Sequence, residues 1–170
     1  MITQPAPNIR RFALTITMLG LLAGCASSPS QPSERQASSE KASAPTPQRT
    51  RVGARAAAVA LRQVGVPYRY GGSSTTGFAC SGLIHYAYRQ AGKSVPRTTG
   101  QLWTETTTVE MNQLQEGDLL FFKVEGKMSH VGLYLGEHRF VHAPSSGRTV
   151  AVESLTSPFY AAALLRAGRP

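Results

Sequence analysis

The chain of 170 residues carries 18 Lys and Arg against 9 Asp and Glu, which gives a formal net charge of +9. Apolar residues make up 41% and aromatic residues 8%, enough for a compact core, so a wholly disordered chain is excluded. Two cysteines exclude a disulfide scaffold and a four-thiolate zinc site. No apolar run reaches the roughly 18 residues that a transmembrane helix needs, and the length allows one ordinary domain.

The positive charge is dispersed along the chain. Residues 51–170 hold 13 basic and 7 acidic side chains, a balance of +6, with no Lys/Arg cluster and no basic stripe at helical spacing. A protein that binds duplex nucleic acid concentrates its basic residues on one face, so no nucleic-acid partner is expected. A mildly basic surface also suits another anionic polymer or an anionic membrane face.

The first 25 residues have the order of an export signal. Arg10 and Arg11 precede an apolar run over residues 12–22, which is too short for a stable membrane span, and small residues follow. Leu-Ala-Gly-Cys at residues 22–25 resembles the bacterial lipoprotein processing box, which implies cleavage before Cys25 and acylation of that residue. Residues 1–24 are therefore predicted to be a lipoprotein signal peptide. The alternative is an ordinary cleaved signal in which Cys25 is incidental.

A lipid-anchored tether is predicted for residues 25–50. Several acyl chains on Cys25 would hold the protein at a membrane, because one chain alone binds only marginally. In enteric-type bacteria an Asp after the lipidated Cys favours the inner membrane, so Ala26 points to the outer membrane, with the protein facing the periplasm. Residues 26–50 contain no aromatic residue and no Leu, Ile or Val, so they cannot offset their ordering entropy. As a random coil they reach about 25–30 Å.

Residues 51–170 are predicted to form one α+β domain. Apolar residues at helical spacing predict a helix over residues 52–64, and a loop rich in Gly, Ser and Thr follows over residues 68–78. A second helix is predicted over residues 80–91, with Gly92 as its stop. Strands are predicted over residues 118–124, 130–135, 140–143 and 149–152. Helices followed by clustered strands indicate an antiparallel sheet covered on one side. The Ala-rich tail, residues 160–167, has helical propensity.

Cys80 is the candidate nucleophile. Once Cys25 is lipidated, Cys80 is the only free thiol in an exported chain, where an unpaired cysteine is a liability. It follows the Gly-rich loop and opens the second helix, where free N–H groups and the helix dipole favour a thiolate. The same N–H groups could stabilise an oxyanion. The alternative is an inert, buried cysteine.

His130 and His142 are predicted to lie together on a β-hairpin. If positions that pair across the hairpin sum to an even number, both histidines and Tyr134 share one face. The opposite face is then apolar throughout: Val131, Leu133, Leu135, Val141 and Ala143. A tight two-residue turn would separate the histidines, so an odd-length loop or a bulge is predicted. Otherwise, His130 merely begins a strand and His142 is a satisfied polar residue.

A thiol beside two imidazoles suggests nucleophilic hydrolysis of an amide. One imidazole removes the thiol proton and a second polar group orients that imidazole. We assign His130 as base and His142 as orienter. His85, inside the second helix, and His138, in the hairpin turn, are expected to be structural or solvated.

Five motifs occur in order along the chain: Pro67-Tyr68-Arg69-Tyr70-Gly71-Gly72, Gly77-Phe78-Ala79-Cys80-Ser81-Gly82-Leu83, Gly117-Asp118-Leu119, Ser129-His130-Val131-Gly132 and Phe140-Val141-His142-Ala143. Together they resemble the NlpC-type papain-like cysteine peptidases, in particular the small lipoprotein murein endopeptidases. The resemblance covers about residues 51–167.

The resemblance implies a fold, a site and a substrate. The fold is a helix bearing the cysteine, packed on a five- or six-stranded antiparallel sheet, with the Ala-rich tail as a strand. The site is Cys80, His130 and His142, with Tyr68 and Ser81 as candidates for binding oxyanion or substrate. The substrate is the peptide stem of peptidoglycan, cut between D-Ala and diaminopimelate of a crosslink or after D-Glu. A monomer without cofactor or metal is expected.

One position departs from the family pattern, because relatives usually carry Asp where this chain has Ala79. Loss of that Asp could loosen the loop around Cys80. Three alternatives remain: a noncatalytic cell-wall-binding lipoprotein on the same fold, a Cys/His zinc protein with an open site, and an acyltransferase that passes the thioester to an acceptor other than water.

Overall fold

The computed structural model describes residues 47–170. The predicted signal peptide, Cys25 and the tether up to residue 46 lie outside the described residues. Within residues 47–170, no helix is both long and apolar enough to cross a bilayer. The first helix begins at Pro47, so residues 47–50, predicted to belong to the tether, are helical. Proline suits the first turn of a helix, where its missing N–H is not needed.

Four helices and eight strands follow one another along the described chain. In order they are α1 (Pro47–Leu61), β1 (Ser73–Ser74), β2 (Gly77–Phe78), α2 (Cys80–Gln90), α3 (Thr99–Glu105), β3 (Thr107–Val109), β4 (Leu119–Val124), β5 (Lys127–Gly136), β6 (Arg139–His142), β7 (Ala151–Ser154), α4 (Pro158–Ala163) and β8 (Leu164–Arg169), with a 3-10 turn at Met111–Gln113 between β3 and β4.

Six of the strands form one antiparallel sheet in the order β3-β8-β4-β5-β6-β7. Strands β1 and β2 form a small hairpin inside the Gly-rich loop. The predicted α+β class, with the cysteine-bearing helix on a five- or six-stranded antiparallel sheet, is confirmed. Helix α3, strand β3 and the small hairpin were not predicted from the sequence.

Two apolar clusters fill the two faces of the sheet. The larger one packs α1 and α2 against Val131, Leu133 and Val141. The smaller one, around Phe122 and Phe140, lies on the opposite face under α4. The prediction of a sheet covered on one side is therefore wrong, because the short helix α4 covers part of the second face.

The β5–β6 hairpin has the predicted even register. Leu133 pairs with Val141 and Tyr134 with Phe140, and a bulge then shifts the register before Gly136 pairs with Arg139. The turn itself has two residues, Glu137 and His138, both with left-handed backbone angles, as a tight hairpin turn requires. The bulge restores the register that such a turn alone would have broken.

The Ala-rich tail divides into a helix and a strand, which corrects the single strand expected for residues 160–167. Pro158 opens α4, and the alanines that follow have high helix propensity. From Leu164 the chain instead pairs with β4 and, further on, with β3. Helix propensity therefore determines the conformation of the first half of the tail, and pairing within the sheet determines that of the second half.

A buried ion pair fixes the end of the chain to the centre of the sheet. Asp118, at 2% exposure, accepts hydrogen bonds from Nε and a terminal nitrogen of Arg169, each at 2.7 Å, and from the backbone N–H of Gln115. A bidentate pair of this kind has strong geometric preference. This explains why an aspartate stands in the Gly117-Asp118-Leu119 motif.

Candidate active site

The Gly-rich loop is held against the first turn of α2, which places Cys80. The backbone N–H of Ala79 donates to the carbonyl of Gly72 at 3.0 Å. A side chain at Gly82 would collide with that same carbonyl, so only glycine allows the helix to approach so closely. Arg97 donates to the carbonyl oxygens of Gly71 and Gly72, at 2.6 and 3.0 Å. The cysteine therefore sits at a fixed junction between loop and helix.

The thiol of Cys80 is half-buried at the start of α2. Its Sγ lies 3.8 Å from Thr99 Oγ1, on α3, and 3.9 Å from the carbonyl oxygen of Ser129, the residue before His130. Tyr68 lies near it as well: burial, and after it the charge of a Cys80 thiolate and of Tyr70, raise the pKa of the Tyr68 phenol. The Tyr68 phenol is therefore held in its protonated, hydrogen-bond-donating form.

The two histidines form a buried pair across β5 and β6. His130 Nε2 and His142 Nδ1 are 2.7 Å apart, and the exposed fractions of the residues are 7% and 0%. The bond occupies Nε2 of His130, so Nδ1 is the ring nitrogen left for the thiol. His142 Nε2 lies 3.4 Å from the hydroxyl of Tyr160.

Both imidazoles are kept neutral by their burial. Burial lowers the pKa of His130 from 6.5 to about 4. The pKa of His142 falls to about 3, first through burial and then through the nearby His130 and Arg148. A neutral His130 has a lone pair with which to accept a proton, as a general base must.

An open cleft of about 500 Å³ joins these groups. Among the residues that line it are four of the five site residues predicted from the sequence, Tyr68, Cys80, His130 and His142; Ser81 does not line it. Its rim carries charges of both signs, from Glu125, Lys127 and Arg148, and the aromatic side chains of Tyr70, Phe159 and Tyr160. The structure thus brings the predicted nucleophile, base and orienter to the wall of one open cleft. Their chemical roles remain predictions.

Ser81 has a different environment from the one expected. Its side chain is buried and its hydroxyl accepts a hydrogen bond from Arg97 at 3.2 Å. The hydroxyl therefore helps to hold Arg97, which in turn binds the Gly-rich loop.

The other two histidines lie where the sequence placed them. His85 Nδ1 is 2.8 Å from the carbonyl of Val95, a contact within the fold. His138 is exposed in the β5–β6 turn. Over residues 47–170, no group of three or more His, Cys, Asp or Glu side chains could hold a metal ion.

Ala79 leaves α2 without a side-chain cap. It occupies the N-cap position in an extended conformation, and no side chain accepts from the first-turn N–H groups. An Asp there could accept such a bond, which is one physical role for the family's usual residue. Since the loop is already held by Arg97 and Gly72, the geometry around Cys80 does not depend on that cap.

Two polar groups of the site, Thr99 and Tyr160, were not predicted from the sequence. Thr99 begins α3, a helix of only seven residues whose N-cap is Thr98. The available signal was the position of Thr98, three residues before Gln101, whose backbone N–H it caps. Tyr160 belongs to the tail, where the expectation of a strand concealed the helix start at Pro158.

Stability should fall as pH drops from 6.5 towards 4. In this window the unfolded chain binds protons at His130 and His142 while the folded protein does not, so protonation favours unfolding. The contribution of the two neutral histidines to the free energy of unfolding is fully present above pH 6.5. It is lost as the pH falls through the folded-state pKa values of about 4 and about 3. Urea unfolding at a series of pH values measures the slope.

The matched variants are His142→Gln and His138→Gln. The buried substitution should flatten the dependence between pH 6.5 and 4, whereas the exposed one should leave it as in the wild type. An equal slope in all three proteins would show that the buried pair is not the source of the acid sensitivity.

Most of the described chain is similar in sequence to known proteins. The sequence profile of the NlpC/P60 family matches residues 65–169. The chain is 39% identical over 106 residues to the murein DD-endopeptidase MepH of Escherichia coli strain K12, which covers 59% of this chain and 39% of that protein. It is 37% identical over 100 residues to a gamma-D-glutamyl-L-lysine dipeptidyl-peptidase of Bacillus subtilis strain 168, covering 57% and 34%.

A solved structure gives the same result. The NlpC/p60 domain of the peptidoglycan hydrolase SagA superposes with a TM-score of 0.60 at 34% identity, covering 68% of this chain and 97% of that one. The match spans less than half the length of the two curated relatives but nearly all of the SagA domain. Since the family profile covers most of residues 47–170, and the fold agrees with it, this chain belongs to the NlpC/P60 family.

Proposed function

We propose that this protein is a peptidoglycan endopeptidase, a cysteine hydrolase that cuts an amide bond in stem peptides or their crosslinks. One observation carries the proposal: a thiol at a helix start shares an open cleft with a buried imidazole pair whose 2.7 Å hydrogen bond orients His130. The names of the relatives, murein DD-endopeptidase and gamma-D-glutamyl-L-lysine dipeptidyl-peptidase, support the substrate class.

Acylation begins when the Cys80 thiol gives its proton to Nδ1 of His130. The sulfur attacks the substrate carbonyl carbon, and N–H groups at the start of α2, with the Tyr68 hydroxyl, donate to the oxyanion that forms. His130 then protonates the leaving amine nitrogen, the C–N bond breaks, and a thioester remains on Cys80.

Deacylation uses the same groups in reverse. His130 takes a proton from a water molecule, whose oxygen attacks the thioester carbonyl. The C–S bond breaks, and the proton on His130 returns to sulfur. Throughout, neutral His142 accepts the Nε2–H of His130 and so stabilises the imidazolium form.

The cleft suits a charged peptide. Arg148 and Lys127 can pair with substrate carboxylates, and Glu125 with an amine. The resemblance implies cleavage either between D-Ala and diaminopimelate or after D-Glu, and both of these bonds lie beside carboxylates or amines of the stem peptide. We propose a stem peptide as the ligand, with the two bonds distinguished by the masses of the products.

Substitution of the three reacting groups should separate their roles. Cys80→Ala should abolish cleavage with the fold intact. His130→Ala should lower kcat by roughly 10²–10⁴-fold because the base is lost, and His142→Ala by less, because orientation is easier to replace than proton transfer. The measurement is release of soluble muropeptides from crosslinked sacculi, identified by mass spectrometry, with His138→Ala as the control.

Two of the alternatives, the noncatalytic binding protein and the zinc protein, give different results in the same assay. Retained binding to sacculi with no released product from the wild type would favour a noncatalytic cell-wall-binding protein. Activity lost to a chelator but resistant to thiol alkylation would favour the zinc protein. Wild-type rates in both histidine variants would contradict the assignment of base and orienter.

We further propose that Cys25 anchors the protein in the outer membrane, facing the periplasm, as a monomer. The processing box and Ala26 support the anchor and its location, and the tether would let the domain reach substrate near the membrane.

Fractionation of expressing cells tests the anchor. The wild type should be found with outer membranes, Ala26→Asp should move it to inner membranes, and Cys25→Ser should leave it unlipidated by mass spectrometry of the N-terminal peptide. Soluble wild-type protein without acyl chains would contradict the proposal.

A further inference from the structure

The far nitrogen of His142 has a partner that the proposed triad does not include. Tyr160, on α4, places its hydroxyl 3.4 Å from His142 Nε2. The imidazole of His142 is fully buried, so each of its ring nitrogens depends on a protein partner. Nδ1 has His130, and Tyr160 is the partner at Nε2.

The direction of proton donation between His130, His142 and Tyr160 follows from the role of His130 as base. A neutral imidazole carries one proton, on either Nδ1 or Nε2. His130 can accept the thiol proton at Nδ1 only if its own proton is on Nε2, donated to His142. His142 must then have a bare Nδ1 and carry its proton on Nε2, and that N–H requires an acceptor.

The phenol oxygen of Tyr160 is that acceptor. Burial and Glu153 raise the pKa of Tyr160, so the phenol stays protonated, with a lone pair for His142. Tyr160 also lines the cleft, so its own O–H can point to solvent. In the opposite arrangement Tyr160 would donate to Nε2 and His142 to His130, and the proton of His130 would then lie on the nitrogen needed for the thiol.

Packing fixes the Tyr160 ring independently of its hydroxyl. The ring makes edge contacts with Phe122, Phe140 and His142, at centroid separations of 5.5, 4.9 and 5.4 Å. A phenylalanine at this position would keep these contacts. The hydroxyl alone can therefore be removed, which separates its effect from that of the ring.

We propose that Tyr160 is a positioning residue: its hydroxyl accepts the Nε2–H of His142, holding the tautomer that leaves His130 Nδ1 free to take the Cys80 proton. The kinetic part of this inference rests on the proposed peptidase function. The tautomer itself is a property of the resting protein and can be observed without substrate.

The test combines kinetics with nitrogen NMR on Tyr160→Phe. Loss of the hydroxyl should lower kcat about 10-fold, comparable to the loss of a hydrogen-bond partner behind a metal-bound histidine, with KM within about twofold because substrate does not touch the hydroxyl. Proton–nitrogen correlation spectra of ¹⁵N-labelled histidines should show His142 protonated at Nε2 in the wild type. In the variant the proton should shift at least partly to Nδ1.

Tyr134→Phe is the matched control. Tyr134 lies in the same apolar cluster, but its hydroxyl accepts from the backbone N–H of His138. Its removal should change neither kcat nor the His142 signals.

Each other outcome overturns the inference. A wild-type His142 protonated at Nδ1 would do so directly, even if the variant failed to fold. An unchanged tautomer with reduced kcat would mean that the hydroxyl acts on substrate, and a changed tautomer with unchanged kcat would remove its role in catalysis. If the wild type cleaves no peptidoglycan, the proposed function fails while the spectra still decide the tautomer.

Discussion

The hydrogen bond between His130 and His142 depends on the register of one hairpin. Successive side chains alternate between the faces of a strand, so a one-residue slip of β6 against β5 would put the two imidazoles on opposite sides of the sheet. The bulge between Tyr134 and Gly136 prevents this. The same register sends Val131, Leu133 and Val141 into the larger core, so hydrophobic burial stabilises the arrangement that the proposed chemistry needs.

A second constraint lies at the start of α2. The glycine at position 82 and the hydrogen bonds from Arg97 bring the Gly71–Gly72 backbone directly against the helix. This contact does not require the N-cap side chain that Ala79 lacks. The departure from the family's usual Asp therefore removes one helix cap and leaves the junction that places Cys80 intact.

Much of the site followed from patterns visible in the sequence. The apolar alternation around His130 and His142 determined their shared face, and the Gly-rich loop before Cys80 indicated a helix start. Other features depended on the competition between local and tertiary preferences. The Ala-rich tail favours a helix locally, whereas pairing with β4 and β3 makes it a strand from Leu164 onwards. Because the whole tail was expected to be one strand, the helix that carries Tyr160 was not predicted. The short helix α3 has too few residues for a periodic signal, so the contact between Thr99 and Cys80 was not foreseen.

The central claim is that His130 activates the Cys80 sulfur, and the rate of alkylation of that thiol tests it most directly. Iodoacetamide reacts with the thiolate, so mass spectrometry of the modified protein over time at neutral pH reports activation without any substrate. The wild type should react at least about tenfold faster than His130→Ala, with His142→Ala in between. Equal rates in all three proteins would contradict the account.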